Sequence, residues 1–296
     1  MPTFERLAPA KVNLFLHVGP VGADGYHPIA SLMTFADIGD VVSLDLDGDL
    51  EFSVSGPFAG GLGSSDDNLV TRARDAAMAA FEVFDDTFSL TLDKRLPIAA
   101  GLGGGSADAA ATLKLMAEAL NFAWGEDEGD PLVDIAMALG ADVAACLEAQ
   151  PVLALGRGDA LEWPPPFPDL DVVLANPGAL SPTGAVYRAY DVLGAAGDDV
   201  PDFPERLDGP EAMAEFLALC RNDLQAAAVS LAPAIGRTLA ELKDEAETLL
   251  ARMSGSGATS FAICRDARDA QALAQRLARR HPDWWVRACR LKGFHP

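Results

Sequence analysis

Residues 96 to 113 read LPIAAGLGGGSADAAATL, with Gly101, Gly103, Gly104, Gly105, Ser106 and Asp108 set between an apolar lead-in and an alanine-rich run. Backbone N–H groups in the first turn of a helix lack internal partners, and glycines let an anion approach them without a Cβ in the way. Such a junction suits phosphate, with Ser106 capping the helix or touching a phosphate oxygen and Asp108 complementing the dipole from the first turn. Two well-known phosphate holders fail on spacing. The Walker loop ends Gly-Lys-Ser/Thr where this one ends Gly-Ser-Ala-Asp, and the dinucleotide fingerprint counted from Gly101 and Gly103 needs glycine where Ser106 stands. A phosphate, another nucleotide group or a tight turn remain open.

The elements around the loop follow from periodicity. From Ala10 to Val18, Val12, Leu14, Leu16 and Val18 share one face of a strand, and Lys11, Asn13, Phe15 and His17 the other. VGADGYHPI then reads as a turn, and Asp40–Leu46 with Leu50–Val54 as a hairpin around Asp47-Gly48. A helix is expected over Asn68–Phe84 and a strand over Phe88–Leu92. Beyond the loop, Ala109, Ala110, Leu113, Met116, Ala117 and Leu120 recur at helical spacing, so the loop joins a strand to a helix. Pro131 opens another helix through Leu139, which ends at Gly140 and leads to Asp142. EWPPPFPDLD is a stiff connector and the expected boundary between domains 1–162 and 163–296. After it come a strand at Asp171–Ala175, helices at Ala212–Cys220 and Ala234–Ala251, a strand at Ser260–Cys264, a helix at Ala267–Arg280 and a strand at Trp284–Leu291. The mixture predicts an α+β architecture.

Composition narrows the function. With 44 acidic against 22 basic residues and a formal charge of −22, the chain lacks the footprint that neutralises the phosphates of nucleic acid. Acidic runs at Gly125–Asp130 and Gly197–Asp202 read as solvated surface. No apolar stretch approaches the roughly 18 residues of a membrane span, so a cytoplasmic protein with no membrane partner is expected. Cys146, Cys220, Cys264 and Cys289 lack metal-ligand spacing and read as reduced core residues.

Three stretches in order, PAKVNLFLHV (9–18), LPIAAGLGGGSADAA (96–110) and MSGSGATSFAI (253–263), resemble the GHMP kinase superfamily of small-molecule kinases. DGYHPI (24–29), GADV (140–143), LALGRGDAL (153–161) and RNDL (221–224) are similar to those members that phosphorylate the 2-hydroxyl of a cytidine diphosphate-linked methylerythritol in the non-mevalonate isoprenoid pathway. The resemblance runs from about residue 7 to 293. It implies a two-domain GHMP kinase fold, the N-terminal domain like the second domain of ribosomal protein S5 and the C-terminal one ferredoxin-like α+β.

It also implies roles. Pro97, Ala99, Ala100, Gly101, Leu102, Gly103, Gly104, Gly105 and Ser106 would wrap the ATP phosphates, with Asn68 and Lys94 lining the adenine pocket. Helix-start capping is a rival role for Asn68. Asp142 would be the general base and Lys11 its neighbour. A hydroxyl is a poor nucleophile, so a carboxylate helps, and a cation keeps that carboxylate ionised while offsetting charge on the transferring group. Tyr26 and Tyr187 would stack on the cytosine and His27 bond its edge, with Asn13 and Thr183 reaching the diphosphate or erythritol end.

Two departures bear on loop shape: Ala107 where the family often has a second hydroxyl or amide, and Ala144-Ala145-Cys146 after GADV where Pro and Phe are common. Magnesium is expected as MgATP; no dedicated carboxylate cage is legible in the sequence, and no metal ligand is named. A monomer or homodimer is expected. The rival readings are a homoserine, mevalonate or sugar kinase, and a nucleotide-binding regulator without catalysis.

Overall fold

The computed structural model describes residues 3–46, 51–62, 68–83, 88–122, 131–194 and 197–295. The chain forms two compact units from interleaved segments. The first comprises Met1–Ala10, Ile38–Ile98 and Gly103–Ala149, the second Lys11–Asp37, Ala99–Leu102 and Gln150–Pro296. Two long strands, β1 (Thr3–Val18) and β2 (Ile29–Asp45), each contribute to both.

In the first unit, Val41–Asp45 of β2 pairs antiparallel with β4 (Ser89–Asp93), and β3 (Phe52–Ser55) lies parallel to β4 on its other side. The expected hairpin of Asp40–Leu46 with Leu50–Val54 is therefore wrong: β4 lies between β2 and β3. A parallel neighbour cannot be reached through a two-residue turn, and alternation alone does not tell which strand fills the gap. The turn at Asp47-Gly48 lies outside the described residues. Gly39 lets β2 approach β1 closely, for a Cβ there would stand 1.9 Å from the Ala8 carbonyl oxygen.

Among the described residues, four α-helices complete this unit: α1 (Leu69–Ala80), α2 (Gly104–Ala119), α3 (Pro131–Leu139) and α4 (Ala141–Glu148). The helix expected over Asn68–Phe84 starts one residue later, with Asn68 as its cap, and Phe84 lies outside the described residues. Ala109, Ala110, Leu113, Met116 and Ala117 of α2 are buried, as their spacing predicts. α2 packs on α1 and α4.

The second unit holds the antiparallel order β10 (Trp285–Leu291), β7 (Leu170–Asn176), β9 (Ser260–Cys264), β8 (Thr248–Met253). The early residues of β2, Ile29–Met33, pair with β5 (Val152–Gly156), which pairs with β6 (Ala160–Glu162). Its helices are α5 (Thr183–Leu193), α6 (Gly209–Ala218), α7 (Leu224–Leu231), α8 (Pro233–Lys243) and α9 (Ala267–Arg280). In α9, Ala270, Leu273, Ala274 and Leu277 form one buried stripe against Val173, Ala175 and Val286, and the Asp266 side chain caps its start by accepting the Asp269 N–H. The helix expected over Ala234–Ala251 ends at Lys243, and Thr248–Met253 is instead strand β8. In β1, both faces from Lys11 to Val18 are buried, so alternation there does not separate core from solvent.

All four cysteines are buried. Among the described residues, no helix is long and apolar enough to cross a membrane.

Candidate active site

In the first unit the glycines open α2. Gly103 takes a left-handed conformation (φ 61°) as the N-cap, and no side chain caps the first turn. Ser106 does not take the capping role expected for it. Gly104 and Gly105 carry no Cβ over this turn, so its outward N–H groups keep the geometry that accepts an anion. Asp108, expected to complement the dipole, instead turns inward. Side chains on a helix lean toward its N-terminus, which brings Asp108 to the Lys94 ammonium, 2.7 Å away.

Lys94 is 3% exposed and donates also to Asp40 Oδ2 at 2.5 Å. Burial works against the Lys94 charge, but Asp108 and Asp40 outweigh it and hold its pKa above the ordinary value. Burial pushes the Asp108 carboxyl up to about 8, with Lys94 opposing and Asp40 adding to the rise. The ammonium expected at the adenine pocket is thus committed to two carboxylates. Asn68 Oδ1 accepts the Val70 N–H at 2.9 Å, so its side chain serves as a helix cap. Asp142 stands in the first turn of α4, after Gly140 (φ 154°), and is half-buried.

In the second unit, Lys11 and Asn13 are brought together as the β1 alternation predicts. The buried Lys11 Nζ donates to Asn13 Oδ1 at 2.9 Å, and Asn13 Nδ2 donates to Ser31 at 2.7 Å. The Asn13 amide therefore orients Lys11. The Lys11 N–H donates to the Leu102 carbonyl, and the Thr259 N–H to that of Ala100, so the start of the glycine segment is stitched to β1 and to the third motif. Ala99 itself is exposed with φ 51°, whereas Leu102 and Ala100 are buried, and Pro97, in the first unit, is half-buried.

The residues expected at the cytosine ring form a local group. The rings of His27 and Tyr187 lie 5.1 Å apart, His27 Nδ1 faces the Gly19 carbonyl at 2.9 Å, and its Nε2 lies 3.3 Å from Asp191. Tyr26 is exposed, and the Arg157 guanidinium lies 3.9 Å over its ring, a cation–π contact. Thr183 Oγ1 is 2.9 Å from Ser256 Oγ. Sequence reasoning passed over Asp40, Ser31, Arg157 and Asp191, which carry no motif of their own; the only signal was LALGRGDAL for Arg157. It read Gly197–Asp202 as solvated surface, and Asp199 is indeed exposed, though its carboxylate also binds Arg221 and its carbonyl faces His17.

Among the described residues no three His, Cys, Asp or Glu side chains gather to hold a metal. The first unit offers backbone N–H groups for an anion and a carboxylate at a helix start, and the second a buried, oriented cation on β1.

The family model for the GHMP kinases N terminal domain matches residues 68–150, and that for GHMP kinases C terminal matches residues 206–283. The chain is 52% identical, over 97% of its length and 99% of the relative's, to a 4-diphosphocytidyl-2-C-methyl-D-erythritol kinase of Caulobacter vibrioides strain NA1000 / CB15N. It is 53% identical, over 98% of each, to the protein of that name from Caulobacter sp. strain K31. A crystal structure of 4-(cytidine 5'-diphospho)-2C-methyl-D-erythritol kinase superposes with a TM-score of 0.77 at 31% identity, covering 98% of this chain and 100% of that one. Similarity at this level over nearly the whole length leaves one conclusion: the chain belongs to the GHMP kinases and, within them, to the 4-diphosphocytidyl-2-C-methyl-D-erythritol kinase family.

Proposed function

We propose that the chain transfers the terminal phosphoryl group of ATP to the 2-hydroxyl of 4-diphosphocytidyl-2-C-methyl-D-erythritol, releasing ADP, as a step of the non-mevalonate isoprenoid pathway. The observation that carries this reading is the 52% identity over 97% of the chain to a relative bearing that name. A cytoplasmic enzyme, monomeric or homodimeric and independent of nucleic acid, fits the acidic composition. A boundary near residue 162 fits the gap between the two family models, which end at 150 and resume at 206.

In this reading Asp142 takes the proton from the 2-hydroxyl as it attacks, and Lys11 offsets negative charge on the transferring group. The bond from Lys11 to Asn13 supports the second role, because a cation held in one orientation needs no reorganisation during reaction. The uncapped first turn of α2 and the glycines from Gly101 to Gly105 hold the phosphates, with Pro97, Ala99, Ala100, Leu102 and Ser106 shaping the loop. ATP supplies the phosphoryl group. Magnesium would enter with ATP as MgATP, neutralising charge on the phosphate oxygens. Asn68 and Lys94 border the adenine, Tyr26 and Tyr187 take the faces of the cytosine, His27 its edge, and Asn13 and Thr183 the remainder of the substrate.

The test is Asp142→Asn assayed with ATP and the cytidyl substrate. The expected loss in kcat is about 10²- to 10⁴-fold, the worth of general-base help. A variant within a few-fold of the parent overturns the base assignment. Turnover of homoserine or mevalonate, with none of the cytidyl alcohol, overturns the substrate.

A further inference from the structure

Three charged side chains within the first unit, of which only Lys94 was given a place above, beside the adenine, are nearly sealed from solvent: Lys94 at 3%, Asp40 at 0% and Asp108 at 2% exposure. Their positions are tightly determined. Asp40 lies on β2, and its Oδ1 accepts the N–H groups of Arg95 at 2.6 Å and Leu96 at 2.8 Å, pinning the segment that runs from β4 toward the glycines. Its Oδ2 and that of Asp108 share the Lys94 ammonium. Asp108 sits one helical turn after Gly104 on α2. A Cβ built on Gly104 would stand 3.0 Å from Lys94 Nζ and 3.4 Å from Asp40 Oδ2, so the cluster lies directly against the backbone of the first residue of α2.

Burying three charges is costly, and an apolar filling of the same volume is often at least as stable. The cluster is therefore poorly explained as a stabilising device. Two further features point toward an anion. A cation close to the start of a helix opposes the helix dipole by itself; here two carboxylates counter it. Asp108 Oδ1 is buried and has no hydrogen-bond partner, which an ionised carboxylate tolerates poorly and a protonated one better. With that proton the cluster is neutral, and it leaves the N–H groups above it attractive to negative charge.

We propose that Lys94, Asp40 and Asp108 form a buried clamp whose function is to position the first turn of α2 for the phosphates of ATP, acting through Gly104. None of the three touches the nucleotide with its charged end; they are positioning residues. The inference rests on the reading that this turn holds the ATP phosphates.

The experiment measures binding of ATP, tripolyphosphate and adenosine by calorimetry, and KM for both substrates, in the full-length parent and in Asp40→Asn, which keeps the shape of the side chain but removes the ionised partner of Lys94. The clamp predicts that ATP and tripolyphosphate bind about tenfold or more weakly, since small displacements of a binding group carry penalties of that order or larger. Adenosine affinity, KM for the acceptor alcohol and kcat at saturating ATP should stay within about threefold. A smaller loss for ATP, or an equal loss for adenosine, overturns the clamp. Gly104→Ala, which crowds the ammonium from the other side, should weaken ATP and tripolyphosphate in the same way, and it supplies the answer if Asp40→Asn does not fold. If the parent itself fails to bind ATP, the reading of the loop falls rather than the clamp.

Discussion

The hydroxyl of Ser254 donates to the carbonyl oxygen of Gly101 at 2.8 Å, joining two glycine-bearing motifs 153 residues apart, and at the same time accepts the Asn13 N–H at 3.1 Å. Ser254 is fully buried. Gly101 meets this contact with φ 73°, and a Cβ there would stand 2.3 Å from the Ser254 carbonyl oxygen and 2.9 Å from the backbone nitrogen of Gly257.

Ser254→Ala should therefore cost about 1 to 3 kcal/mol, the penalty for leaving buried partners unsatisfied. Gly101→Ala should cost more, because both the left-handed backbone and the clash act against it. Denaturant midpoints of the two variants give the order, and the reverse order would contradict this packing.

Asn68 offers a way to separate a structural from a binding role. Its side chain caps α1, so Asn68→Ala should destabilise the protein by about 1 kcal/mol, while Asn68→Asp, an equally good cap, should not. The midpoints of thermal unfolding test the cap. If nucleotide KM rises for both variants, Asn68 also reaches the adenine; if it rises for neither, the cap is its whole contribution.

His17 makes stability depend on pH. Its Nδ1 donates to the Asp199 carbonyl at 2.7 Å, and its Nε2 accepts the Arg221 N–H at 3.1 Å, an arrangement that requires the neutral ring. Burial lowers its pKa, with the bond to Asp199 opposing and Arg221 reinforcing the shift; the Asp199 and Asp223 carboxylates also oppose it. Below about pH 6.5 the unfolded chain takes up a proton that the folded one resists, so stability falls as pH drops through that point. Urea unfolding between pH 5 and 8 should show this slope, and His17→Gln should flatten it. An unchanged slope in the variant would place the effect elsewhere.

The elements that sequence reasoning read best were those whose burial follows one local period. α3 begins at Pro131 and ends at Leu139 as expected, and α9 spans Ala267–Arg280, the bounds expected for it. Failures came where a distant segment decides. β3 pairs with β4 rather than β2, and β8 continues an apolar pattern that reads as helix until its partner β9 is known. The site divides in the same way. Lys11 and Asn13 are two residues apart on one strand, so their contact could be read from spacing. The inward turn of Asp108 could not, because Lys94, just past the end of β4, and Asp40, on β2, lie 14 and 68 positions away.

The place of β10 bears on how this protein is made. That strand lies between β7 and β2, pairing Leu291 with Ala36, and the Thr34 hydroxyl donates to the Lys292 carbonyl across 258 positions. On the ribosome β7 is complete at Asn176, but the strand that covers one of its edges ends only at Leu291. At about 5 to 20 residues per second, that edge stays open for roughly 6 to 23 s. Val172, Val173, Leu174 and Ala175 are the residues left waiting, an apolar edge of the kind that recruits foreign strands. The demand on chaperones should be greatest during this interval of translation, before the last strand emerges.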